Sequence, residues 1–285
     1  MASIKAIKRR IGSVNNTKHI MKAMDLVAAS KLQKAKARLD AIRPLYENIK
    51  LVMDGIKASL GAGDTVFAKK REVKSIVYVV LTSDRGLCGG YNINVAKEAL
   101  AYINANADKE EKIISVGIKG LEYFRRRGKN VVHRYTGVTE TTFYENAERI
   151  GNLIVSMYTS GEADEAYLVY TRFESILTHT ACQVKLLPIS AGSDGEKSRE
   201  VMTYEPDIST FITYAVPMYL NMFIYGAMVE SAVCENASRM TSMDAATRNA
   251  SAIIDDLTLE YNRKRQGMIT QEITEIVSGA ANALQ

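Results

Sequence analysis

The chain has 285 residues, a formal net charge of +5, 47% hydrophobic and 24% charged residues, the balance of a soluble globular protein. Its three cysteines, Cys88, Cys182 and Cys234, lie far apart with no CxxC pair, which excludes a disulfide framework and fits a reducing compartment. The first residues alternate apolar with Lys and Arg and lack the apolar core of a signal peptide.

In chain order, the first element is a long helix. Two rows at seven-residue spacing run through it: Ile4, Ile11, Lys18, Asp25, Leu32, Leu39, Tyr46, Met53 and Leu60, and Ile7, Val14, Met21, Ala28, Ala35, Ile42, Ile49 and Ile56. The second row is apolar throughout and the first fails only at Lys18 and Asp25. A repeat of 3.5 residues held this long predicts a left-handed coiled coil, about 85 Å in length. Pro44 predicts a bend near Asp40–Pro44, and Gly61 with Gly63 predicts the stop.

The middle of the chain alternates β-rich runs (75–82, 112–117, 130–133, 166–173, 181–189) with helical stretches (94–106, 119–127, 141–158). Strand alternating with helix indicates an α/β, Rossmann-like layer on a mostly parallel sheet. Residues 190–208 are polar and turn-rich, a surface linker.

A second long helix follows. Met222, Gly226, Val229, Val233, Met240, Met243, Ala250, Ile254, Leu257, Tyr261 and Met268 form a seam interrupted at Asn236, Thr247 and Lys264, with Pro206 and Pro217 at or before its start. Its greasiest part, Tyr214–Val229, is broken by Asn221 and ended by Glu230. It is shorter than the roughly 20 residues a membrane span needs and reads as a helix buried against protein. The chain thus carries its own coiled-coil partner, and the two terminal helices are expected to run antiparallel. The fold class is α+β overall, divided as helix 1–60, linker 61–73, α/β domain 74–190, linker 191–208 and helix 209–285.

Charge is uneven. Residues 1–43 hold 11 Lys and Arg against 2 Asp and Glu, a net +9, whereas residues 209–285 hold 5 against 8, a net −3. A basic helix suits nucleic acid, an anionic membrane surface, an acidic protein partner or plain solvent.

Chemistry is scarce. The sharpest local feature is Thr82–Asn92, TSDRGLCGGYN, directly after a strand. It is neither GxGxxG nor GxxxxGK[ST], so Gly86, Gly89 and Gly90 read as a structural strand-to-helix turn rather than a phosphate cradle. Cys88 has no nearby His to make it a nucleophile. His19, His133 and His179 share no ligand spacing, so neither a metal site nor a cofactor is expected. Arg263-Lys264-Arg265-Gln266 makes a polar patch, and Ile276–Gln285 carries no charged side chain. On the residues alone, a nucleotide-binding α/β enzyme and a coiled-coil adaptor remain alternatives.

Five segments carry a family resemblance. Ile11–Lys34 (IGSVNNTKHIMKAMDLVAASKLQK) resembles the N-terminal helix of the γ subunits of F-type ATP synthases, and Thr82–Asn92 is similar to their central glycine turn. Ala237–Asn249, Leu257–Gln266 and Ile269–Ala283 resemble their C-terminal signature. Met21, where a small polar residue is common, and the extra charge of Arg263-Lys264 depart from the pattern. The resemblance implies a non-catalytic rotor shaft that passes torque between a membrane c-ring and the β subunits. It implies α, β and ε subunits and the c-ring as partners, no nucleic acid, no cofactor, and a peripheral place on the cytoplasmic side of the cell membrane. It further implies that Arg265, Gln266, Thr270 and Glu272 bond a β-subunit loop, with Met24 opposite them on the first helix and Lys22 nearby.

Overall fold

The computed structural model describes residues 3–59, 66–67, 71–189 and 208–283, with the side chains of 46–47, 49–50, 52–59, 208–209 and 279–283 outside the description. The expected stop at Gly61 and Gly63, Pro206, Leu284 and Gln285, and most of both linkers lie outside the described residues. Ten elements follow in order: α1 (Ile4–Ser59), β1 (Ser75–Leu81), α2 (Tyr91–Ala105), β2 (Glu110–Val116), α3 (Ile118–Arg125), β3 (Val131–Tyr135), α4 (Phe143–Thr159), β4 (Glu165–Phe173), β5 (His179–Leu187) and α5 (Ile208–Ala283). The chain forms two compact units, Met1–Ala28 with Met240–Gln285, and Ala29–Arg239, so the division falls inside both long helices.

In the first unit the N-terminal stretch of α1 and the C-terminal stretch of α5 pack together. On α1, Ile7 and Ala28 are buried and Ile4, Ile11, Val14, Lys18, Met21 and Asp25 half-buried, which are the two heptad rows, including both polar exceptions. On α5, Met243, Ala250 and Leu257 are buried at seven-residue spacing, with Thr247, Ile254, Tyr261 and Lys264 half-buried between and after them. Met268, expected to continue the seam, is exposed, as is every described side chain from Arg265 to Ser278.

The second unit is built on a five-stranded sheet of order β3-β2-β1-β4-β5. β1 pairs in parallel with β2 and β4, β2 with β3, and β5 runs antiparallel to β4 through a short hairpin. Every residue of β1 is buried, as a central parallel strand covered on both faces requires. Its alternate residues serve opposite layers. Val77, Val79 and Leu81 pack with Ile150 and Ile154 of α4 and with Ile212, Val216, Leu220 and Ile224 of α5, whereas Ile76, Tyr78 and Val80 pack with Val95, Ala99 and Ile103 of α2 and Phe124 of α3. Each such fully buried aliphatic side chain contributes about 1.5–3 kcal/mol.

Both prolines of the long helices lie in helix interior. α1 continues through Pro44, and α5 begins at Ile208, so Pro217 falls beyond its first turns rather than at or before its start. The core contacts of Ile212, Val216 and Leu220 on either side hold the helix together there. α5 contains a window of mean hydropathy 1.3, long and apolar enough by composition to cross a membrane, although much of its apolar surface is core of this unit.

Candidate functional site

The residues expected to carry function fall in two places. Lys22 and Met24 on α1 and Arg265, Gln266, Thr270 and Glu272 on α5 all belong to the first unit. Heptad position explains their exposure. Lys22 follows the buried row at Met21 and points outward, where its Nζ pairs with Asp25 at 3.0 Å. Met24 is half-buried beside the seam. Arg265, Gln266, Thr270 and Glu272 are exposed, and the Thr270 hydroxyl donates to the Gln266 carbonyl one turn back at 2.9 Å. Among the described residues no hydrogen bond or ion pair joins Lys22 or Met24 to the four on α5. The neighbouring Lys264 is paired with Glu260 at 2.9 Å, and Arg263 and Arg265 on either side of it are exposed.

Beyond this polar patch large aliphatic side chains stand exposed among the polar ones. Ile269, Ile273, Ile276 and Val277 are 46%, 55%, 71% and 62% exposed. A run of large aliphatic side chains left bare on one helix marks a surface that another chain covers.

The glycine turn lies in the second unit, between β1 and α2. Gly89 takes the left-handed conformation (φ 54°), and so does Leu87 (φ 62°), a position where the sequence offered no glycine. The turn is knitted to its own chain. The Ser83 amide donates to Asn92 Oδ1 at 2.8 Å, Asn92 Nδ2 donates to Ser83 Oγ at 2.8 Å, and the Thr82 hydroxyl donates to the Val116 carbonyl at 2.7 Å. The Asp84 carboxylate accepts from the Ile118 amide at 2.9 Å and the Gly137 amide at 2.8 Å. A side-chain anion thus sits at the N-terminus of α3, the kind of place where a nucleotide phosphate binds in other α/β proteins. Lys119 is engaged with Glu122 at 3.0 Å. Cys88 is buried, and that burial holds its thiol above the usual range, the opposite of an activated nucleophile. Among the described residues no group of three His, Cys, Asp or Glu is placed to hold a metal ion.

Sequence reasoning missed a set of half-buried polar residues on α5. Glu230, which served only to end an apolar run, accepts from the Phe173 amide at 2.8 Å, and burial raises its carboxyl above the ordinary range. Glu235 is raised for the same reason, partly offset by Arg239, which bonds it at 2.6 Å. The legible signal was spacing: charged and hydroxyl side chains recur within a stretch otherwise fit for burial.

Comparison with known proteins gives matches over nearly the whole chain. Among solved structures, a chain of the mitochondrial ATP synthase of Euglena gracilis (OSCP/F1/c-ring) superposes with a TM-score of 0.71 at 18% identity, covering 99% of this chain and 94% of that one. The central stalk/c-ring structure of the Tetrahymena thermophila enzyme gives 0.59 at 23%, covering 80% and 99%. At such identities the likeness defines a class of fold, that of ATP synthase stalk and rotor chains. The family model described as ATP synthase matches residues 3–284. The ATP synthase gamma chain of Alkaliphilus metalliredigens is 43% identical over 281 residues, 96% of each chain, and the sodium-ion-specific gamma chain of Acetobacterium woodii is 39% identical over 298 residues, 98% of each. The chain belongs to the ATP synthase gamma chain family, whose members are subunits of the complex rather than its catalytic ones.

Proposed function

We propose that this chain is the central rotor shaft of an F-type ATP synthase, turning within a head of α and β subunits and joined at its sheet-bearing unit to an ε subunit and a membrane c-ring. In this reading it lies peripherally on the cytoplasmic side of the cell membrane, and ion flow through the ring drives ATP synthesis through the shaft. The observation that carries the proposal is the division of labour along α1 and α5. One stripe of each helix is buried at seven-residue spacing, while the outer faces present cations near the N-terminus and bare aliphatic side chains toward Val277.

The physical logic follows from those faces. A paired, seam-packed helix resists twisting better than a single helix. The basic stretch of residues 1–43 suits acidic loops on the β subunits. The uncharged stretch from Ile276 suits rotation in an apolar sleeve, because charge pairs in a poorly hydrated sleeve create deep wells at fixed angles. An asymmetric shaft touches the three β sites differently, so turning it shifts their preferred occupancies in sequence. Lys22, Met24, Arg265, Gln266, Thr270 and Glu272 are the residues we assign to the β-subunit contacts, with 74–190 as the foot and both terminal helices as the shaft.

The test is the Arg265→Ala, Gln266→Ala double variant in the assembled complex. Coupled ATP synthesis should fall by tenfold or so, the loss expected for one or two charge-assisted hydrogen bonds across an interface. Unchanged synthesis and assembly would remove these residues from the contact. Failure of the tagged chain to co-purify with α and β subunits would remove the proposal itself.

A further inference from the structure

We propose that Glu230, Cys234 and Ser238 form a torsional lock that fastens α5 to the sheet, so that torque on the foot reaches the shaft helix without slippage; the inference rests on the shaft reading above. The three residues recur at four-residue spacing and so share one face of α5. Each reaches a different group on the β4–β5 hairpin. The Glu230 carboxylate accepts from the Phe173 backbone amide at 2.8 Å, the Cys234 thiol donates to the Thr171 carbonyl at 3.6 Å, and Ser238 Oγ lies 2.6 Å from His179 Nε2. Phe173 and His179 are register partners across the hairpin, so the ties span both strands at its closed end. Beside them, Arg239 donates to Glu235 at 2.6 Å and reaches the Gly86 carbonyl at 3.5 Å, a further link from α5 to the turn after β1.

Position makes these ties mechanical. They occupy the last stretch of α5 inside the second unit, which ends at Arg239. The apolar side chains that α5 buries along this stretch are mostly small, Ala227, Val229, Ala232, Val233, Cys234 and Ala237, with Met228 the one large exception. Apolar packing is non-directional, and a smooth row of small side chains offers little against rotation of a helix about its own axis. Hydrogen bonds weaken steeply once misaligned. Advancing the helix by one residue turns it by about 100° and removes all three ties together. Glu230 is half-buried, and the partial loss of solvent that raises its carboxyl leaves the Phe173 amide as its hydrogen-bond partner from the sheet.

The experiment compares Glu230→Ala with Ser238→Ala as a double variant, and Glu230→Gln with Ser238→Thr as the conservative pair that keeps an acceptor and a hydroxyl in place. Both are read in the assembled complex. Hydrogen exchange of peptides containing Phe173 should speed up about tenfold in the alanine variant, the change expected for loss of one part-buried hydrogen bond to a carboxylate. Ions pumped per ATP hydrolysed should fall at least about twofold, with the hydrolysis rate held, because driven slippage dissipates turnover without transport. The conservative pair should restore both readouts. Slow Phe173 exchange in the alanine variant, or fast exchange with undiminished pumping per ATP, would overturn the lock. If the double variant fails to assemble, Ser238→Ala alone is read in the same way at the exchange of peptides containing His179. A wild-type complex that hydrolyses ATP without pumping overturns the shaft reading and the lock with it, an outcome distinct from a failure of the exchange arm.

Discussion

Replacing Gly117 by Ala should be among the most damaging single substitutions in the sheet-bearing unit. Gly117 joins β2 to α3 at φ 88° and ψ 146°, a backbone conformation close to one that only glycine adopts freely. An added Cβ would lie 2.3 Å from the Thr82 carbonyl oxygen, 2.6 Å from its carbon and 2.8 Å from the Ser83 carbonyl carbon. These are backbone atoms of the turn after β1, so no side chain can swing aside. The start of α3 must retreat, straining the bonds from the Gly117 amide to the Tyr135 carbonyl (2.8 Å), from the Ile118 amide to Asp84 (2.9 Å) and from the Gly120 amide to the Thr82 hydroxyl (2.9 Å). Backbone strain of about 1–3 kcal/mol and two or three weakened hydrogen bonds at about 1 kcal/mol each sum to about 3–6 kcal/mol. Gly128→Ala is the control. It has φ 66° but nothing within 4 Å of the added Cβ, so it should cost only about 1–2 kcal/mol. With 15 Tyr and no Trp, near-ultraviolet circular dichroism of the tyrosines during urea unfolding reports the transition. A Gly117→Ala midpoint no lower than that of Gly128→Ala would refute the clash argument.

Glu230→Gln tests the half-buried carboxyl. Burial raises it, with the Phe173 amide, Arg172 and Arg43 pulling the other way, so the folded chain holds its proton to higher pH than the unfolded chain does. Its contribution is therefore fully present below the unfolded value of about 4.3 and is lost as pH rises through the folded one. The Gln variant should flatten that decline in denaturation midpoints measured from acid to neutral pH, and an unaltered slope would contradict the assignment. Ala28→Glu tests the helix pairing: Ala28 is 1% exposed, and a carboxylate buried there should cost about 3 kcal/mol or more, visible as a lower helical melting temperature.

Much of the fold was legible because its signals are periodic. The rows from Ile4 and Ile7 predicted which faces of α1 are covered, and even Lys18 and Asp25 are drawn half into the seam by their position. The five strands and three short helices of the middle were visible from β-branched runs and turn residues, with shifts of a few residues at their ends. α2 begins at Tyr91 rather than Asn94, because buried Tyr91 packs with Cys88 and Cys234 against Phe173. β5 ends at Leu187 rather than Ile189, since Pro188 has no amide for the ladder. The seam of α5 was read one step too far, because sequence periodicity continues to Met268 whereas cover within the chain stops near Lys264. Pro217 was misplaced because local rules for proline ignore the core contacts of Ile212, Val216 and Leu220. The residues assigned to β-subunit contact came from resemblance rather than periodicity, since exposed polar side chains such as Gln266 and Thr270 leave no pattern of their own. The ties of Glu230 and Ser238 depend on Phe173 and His179, far away in sequence, and no local signal reports such a pairing.

The shaft assignment meets its most direct test in single-molecule observation of the assembled α/β complex. A probe is attached through a cysteine introduced at Leu177, the 81% exposed residue at the tip of the β4–β5 hairpin. The account predicts that ATP drives stepwise rotation of the probe in one direction, with the head fixed. A stationary or randomly fluctuating probe on complexes that hydrolyse ATP would contradict it.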